Sequence, residues 1–103
     1  MTPEGKVKAK LKTMLDKLGI YYFMPATGGY GRSGIPDIIG CHNGVFFAIE
    51  CKANGGKTTA LQDRELKRIG EAGGFTLIVD ESNVASVPAW FGAMERSSLS
   101  GSP

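Results

Sequence analysis

Long apolar runs are missing from this 103-residue chain. No stretch reaches the roughly 18 apolar residues that a membrane span requires, so no membrane association is expected. No basic-then-apolar leader is present either, and a soluble intracellular protein is expected. Cysteine and histidine are scarce, with two and one. None falls at zinc-ligand spacing, which argues against a structural zinc site. A strong excess of one charge is also missing. Twelve Lys and Arg against ten Asp and Glu give +2, which by itself says little for a nucleic-acid partner. Internal repeats are absent.

What remains is a composition that folds: 42% hydrophobic and 21% charged. The length argues for one domain, set here at 1–96, with a modest core that is marginal without good packing or a partner subunit. The polar stretch 97–103 reads as a disordered tail. Five lysines crowd the first segment: Lys6, Lys8, Lys10, Lys12 and Lys17.

Thr2-Pro3-Glu4 reads as a helix start, with Thr as N-cap, Pro at the first helical position and an acid in the first turn. Val7, Leu11, Met14, Leu15 and Leu18 recur at helical spacing until Gly19 stops the helix. Ile20 to Met24 is aromatic and β-rich, so a strand is expected. Pro25 to Gly34 is a glycine-rich loop. Asp37 to His42 and Val45 to Cys51 read as strands around Asn43-Gly44, the strongest short-range hairpin signal. Asn54 to Lys57 is a second loop, Thr59 to Ala72 a helix, and Phe75 to Val79 a short buried strand. Val87 to Met94 belongs to a last helix. The order α-β-β-β-α-β, with a βαβ crossover from Val45 to Val79, implies an α/β fold with a mixed sheet flanked by helices. Cys41 and Cys51 then fall on opposite faces, far apart, as free thiols.

The hairpin carries the chemistry. A two-residue loop pairs His42 with Val45 and, counting outward, Asp37 with Glu50. Their Cβ atoms then lie about 5 Å apart, and like charges placed so are destabilising. Lys52, two residues past Glu50, shares its face. Two acids and a lysine on one surface make a seat for Mg2+ or Mn2+, to which the Cys51 backbone carbonyl is a further oxygen donor. A phosphodiester, already anionic, resists hydroxide. A divalent ion polarises its oxygens and activates water. In this reading Asp37 and Glu50 hold the metal, while Lys52 orients the attacking water or neutralises charge on phosphorus. A three-residue hairpin loop would shift the register by one and break the arrangement.

Gly34-Ile35-Pro36-Asp37 followed by Glu50-Cys51-Lys52, with Gln62 on the next helix, resembles the virus-type replication-repair nuclease (VRR-NUC) family of the PD-(D/E)xK superfamily. The resemblance covers Thr2 to Val79. It implies a restriction-endonuclease-like core and Mg2+- or Mn2+-dependent cleavage of DNA, often branched or flapped. It also implies a homodimer of the stand-alone phage type, at work in the cytoplasm of an infected bacterial host. An acid on the first helix belongs to the pattern, and Glu4 is carried over as a metal-site residue.

Several residues carry two readings. Gln62 belongs either to the active site or to a capping box with Thr59. Lys6, Lys10 and Lys17 form either a solvated helix face or a DNA-contacting one. Tyr30 and Arg32 either touch a base or phosphate or fill space. His42 reads as a turn residue, and Trp90 and Phe91 as core or interface. The competing functions are a non-catalytic nucleic-acid-binding module on the same fold and a restriction-type endonuclease.

Overall fold

The computed structural model describes residues 1–26 and 33–100, with side chains through Met94. Helix α1 (Pro3–Lys17) begins where Thr2 Oγ1 accepts the Gly5 N–H at 3.0 Å. It is followed by β1 (Tyr21–Phe23), β2 (Ile38–His42), β3 (Val45–Cys51), α2 (Ala60–Glu71) and β4 (Phe75–Val79). A 3-10 turn (Val84–Ser86) leads into α3 (Val87–Ser100). The last turn of α3 thus reaches into the stretch 97–103 read as a tail, and 101–103 lie outside the described residues.

The four strands form one sheet in the order β1-β2-β3-β4. β1, β2 and β3 run antiparallel to their neighbours, and β4 joins β3 in parallel. This is the mixed α/β architecture expected from the element order. The hairpin turn has positive φ at both Asn43 (50°) and Gly44 (80°), the conformation that twists in step with the strands it joins. His42 therefore faces Val45, and the register runs without a slip to Ile38 opposite Ile49. One further step brings Asp37 opposite Glu50.

Strand alternation divides the sheet into two unlike faces. Ile38, Phe47, Ile49, Cys51 and Val79 point to one side and pack with Val7, Leu11 and Leu15 of α1 and with Val87, Phe91 and Met94 of α3. The Phe47 and Phe91 rings meet edge to face, with centroids 4.9 Å apart, a favoured aromatic geometry. Phe91 is therefore core, and Trp90 is partly buried against it. α2 packs on β3 and β4. Its Ile69 and Ala72 line a groove with Phe46, which alternates away from Phe47. The core on the first side holds α1 fast, so one flank of that helix stands beside the end of the sheet where β2 begins and β3 finishes.

Candidate active site

Asp37 occupies the last position before β2, in a segment fixed from both sides. Pro36 precedes it and is fully buried. Gly34 has φ +82° and lies so close to α2 that a Cβ would meet the Leu61 carbonyl carbon at 2.5 Å. Only glycine fits there, both for its backbone angle and for the approach. The segment is thereby pressed against the first turn of α2. Across the hairpin the Cys51 backbone N–H donates to Asp37 Oδ2 at 2.8 Å.

Glu50 faces Asp37 and is 2% exposed. The two carboxyl groups lie within hydrogen-bonding reach of each other. Burial, followed by the hydrogen bond and charge of Asp37, pushes the Glu50 carboxyl up from 4.5 to about 8, against a smaller opposing pull from Lys52. Asp37 moves the other way. Burial would raise it, but hydrogen bonds from Glu50, the Cys51 N–H and Lys8 outweigh burial and hold it below the ordinary aspartate value of 3.8. Two like charges cannot both be carried cheaply at this separation, so one group keeps the proton. Glu50 Oε2 is buried with no hydrogen-bond partner among the described residues, a costly condition for a polar atom.

Lys52 is partly exposed at the end of β3, where its backbone N–H donates to the Val79 carbonyl at 2.9 Å. Its charge acts on Glu50. Glu4 acts on Glu50, Cys51 and Lys8 through its charge. Among the described residues, however, no group of three or more His, Cys, Asp or Glu side chains forms a ready-made cage. Cys51 itself points into the core with its thiol pushed up to about 12, by burial first and by the Asp37 charge second. Its sulfur lies in the core on the face opposite Glu50, so a donor from this residue to a metal at the carboxylates would be its backbone oxygen.

Gln62 forms the capping box. Its Oε1 accepts the Thr59 N–H at 2.9 Å, and its own N–H donates to Thr59 Oγ1 at 3.2 Å. Lys6 and Lys10 flank a groove of about 230 Å³ with Glu81 and Val84. Tyr30 and Arg32 lie outside the described residues.

Three residues escaped the reading of the sequence. The α1 lysine that turns toward the carboxylates is Lys8, whose Nζ lies 3.2 Å from Asp37 Oδ1. It sits one helical turn after Glu4, on the same flank, a spacing the sequence displays plainly. Gly34 was legible as a motif letter but not as a contact. Glu65 on α2 is 3% exposed, with Arg68 at 3.9 Å and Arg64 at 4.0 Å. It stands four residues from both Leu61 and Ile69, on the apolar side of α2, so helical spacing does mark its position.

The donor set is made of hard oxygens, one of them without a partner among the described residues, and it fits a small divalent cation that takes one or two carboxylates and keeps several waters. Comparison with known proteins places the chain among nucleases. The family model described as archaeal Holliday junction resolvase (Hjc) matches residues 5–78. A phage protein named as a candidate nuclease, p44 of Acyrthosiphon pisum secondary endosymbiont phage 1, is 36% identical over 87 residues. That match covers 82% of this chain and 89% of p44. A solved VRR_NUC domain superposes with a TM-score of 0.70 at 24% identity, covering 86% of this chain and 97% of that one. The fold is thus the one that the sequence motifs resemble.

Proposed function

Because the chain belongs to the archaeal Holliday junction resolvase (Hjc) family of nucleases, we propose that it is a divalent-metal-dependent DNA endonuclease that hydrolyses phosphodiesters in branched DNA, four-way junctions in particular. The observation that carries this reading is the Asp37–Glu50 pair. A buried glutamate with an oxygen that has no partner among the described residues, set against an aspartate that stays ionised, is an expensive arrangement for a module that only binds.

In this reading Asp37, Glu50 and the Cys51 carbonyl hold Mg2+ or Mn2+. When bound, the ion polarises a phosphoryl oxygen and makes water a better nucleophile. Glu50 gives up its proton when the site is loaded. Lys52 orients the attacking water and neutralises charge growing on the phosphoryl oxygens. Glu4 adds negative charge that favours a cation at the site. Gln62 fixes the first turn of α2, against which Gly34 and so Asp37 are held. Lys6 and Lys10 supply phosphate contacts away from the cut, and Tyr30 and Arg32, in the glycine-rich stretch of sequence that leads to Asp37, are assigned to DNA contact. The working unit is a homodimer, whose two-fold axis matches the approximate two-fold symmetry of a junction.

Cleavage of a labelled four-way junction, beside linear duplex of equal length, tests the reading. The junction should be cut preferentially in Mg2+ or Mn2+, and EDTA should stop the reaction. Asp37→Asn and Glu50→Gln should fall to background with unchanged circular dichroism. Undiminished cutting in EDTA, or by either variant, defeats the metal assignment. Wild-type protein that binds junctions but cuts nothing in any divalent ion is a binding module instead.

A further inference from the structure

The Lys8–Asp37 pair places a cation at the carboxylate pair even without metal. Lys8 Nζ is 3.2 Å from Asp37 Oδ1, with the lysine side chain 33% exposed and the aspartate 20% exposed. The other Asp37 oxygen is held by the Cys51 N–H. Both oxygens of the aspartate are therefore engaged, one by rigid backbone and one by a flexible four-carbon stem. The backbone contact is built into the hairpin register. The lysine contact is not, because a third of its side chain is in solvent and its head swings on rotatable bonds. Of the two, only the ammonium can leave without disturbing the sheet.

We propose that Lys8 is an exchangeable counter-ion: it neutralises Asp37 in the metal-free protein, is displaced when a divalent cation takes that carboxylate, and then engages a phosphate of the bound DNA. This rests on the metal-site reading above. Two cations cannot share one carboxylate oxygen in a partly buried site without strong repulsion, so the ammonium must move as metal enters. The freed group remains anchored on α1, whose Val7 and Leu11 are fixed in the core. It therefore stays at the rim of the site, where the substrate's anionic backbone arrives. Lysine suits both partners in turn, because its compact charge accepts a carboxylate or a phosphate without the fixed planar geometry that arginine imposes.

The exchange predicts effects of opposite sign, which a merely structural lysine would not produce. In calorimetric titration with Mn2+ at a fixed pH, Lys8→Gln should bind the ion about tenfold more tightly than wild type, having no resident cation to expel. Lys8→Arg should bind it no more tightly than wild type. In the presence of Ca2+, binding of the same Lys8→Gln protein to a short junction should weaken, and the slope of log affinity against log salt should shrink by about one phosphate contact. Lys8→Met serves as a second neutral variant should the glutamine protein fold poorly. Equal or weaker Mn2+ binding in the neutral variants overturns the counter-ion role. An unchanged salt slope overturns the hand-over to phosphate. A wild-type protein that takes up no Mn2+ defeats the metal-site reading itself, and this proposal with it, whereas a failure confined to Lys8 leaves that reading standing.

Discussion

Asp37 Oδ2 accepts the backbone N–H of Cys51 at 2.8 Å, so the side chain that opens one strand is bonded to the main chain that closes the next. Residues 14 apart in sequence are thereby locked at the same end of the sheet. The bond also leaves the neighbouring Glu50 facing a carboxylate that is already ionised. The electrostatics of the pair follow from that placement, and so does a test by pH.

Glu50 has a folded-state pKa of about 8 against an ordinary 4.5. Between those values the folded protein holds a proton that the unfolded chain releases, so stability falls as pH rises through the window. Asp37, held below 3.8, works in the opposite sense, and its contribution is lost only at pH below that value. Calorimetric melting in EDTA should therefore give a lower midpoint at pH 8.5 than at pH 5.5. Glu50→Gln should flatten the trend and melt higher at the alkaline end by roughly 4 °C or more, the shift that about 1 kcal/mol brings in a domain this small. A wild-type midpoint that is flat across this range would remove the buried acid from the description of the site.

Lys52 has a different expected signature. If it acts on water or on transition-state charge, Lys52→Ala should lower the single-turnover rate about 100-fold, the scale of losing one electrostatic stabiliser. Junction affinity should change much less. Weakened binding with a normal rate at saturation would instead make Lys52 a phosphate contact.

For Gln62 the two roles separate by magnitude. The capping box with Thr59 predicts that Gln62→Ala costs about 1 kcal/mol of stability, read from urea denaturation. A cap alone leaves the cleavage rate of the folded protein within a few-fold of wild type, while an additional role at the site lowers it far more. Stability equal to wild type would contradict the hydrogen bonds at 2.9 and 3.2 Å.

The dimer is tested by light scattering at micromolar concentration, with the mass of two chains expected. Its surface is sought on the sheet edge, where Tyr21 is 68% and Phe23 50% exposed on β1. Tyr21→Lys and Phe23→Lys should each shift the equilibrium toward monomer and lower junction cutting more than duplex binding. A monomeric wild type that cuts duplex and junction equally well would exclude this assembly.

Much of this was legible in the sequence because it depends on local chemistry. Thr2-Pro3 announced α1, Thr59 announced α2, and Asn43-Gly44 fixed a register from which Asp37 and Glu50 could be paired by counting. What escaped depends on through-space contact. Lys6, Lys8 and Lys10 look alike as letters. Only the docking of Val7, Leu11 and Leu15 into the core decides which lysine turns toward the acids. Gly34 owes its necessity to Leu61, 27 positions later. Glu65 shares the apolar side of α2 with Leu61 and Ile69, four residues away on either hand, yet its charge hides the burial that appears once α2 lies on the sheet.

The Asn43-Gly44 turn lies six residue steps from the carboxylates, about 20 Å along the strands. Yet it decides which side chains meet at the far end. A slip of the pairing by one residue there would carry Glu50 away from Asp37 and present a buried apolar neighbour in its place. The chain could then keep every residue of its site and lose the site itself. The register set at this turn therefore governs the site, although its residues stand at the far end of the strands from the carboxylates.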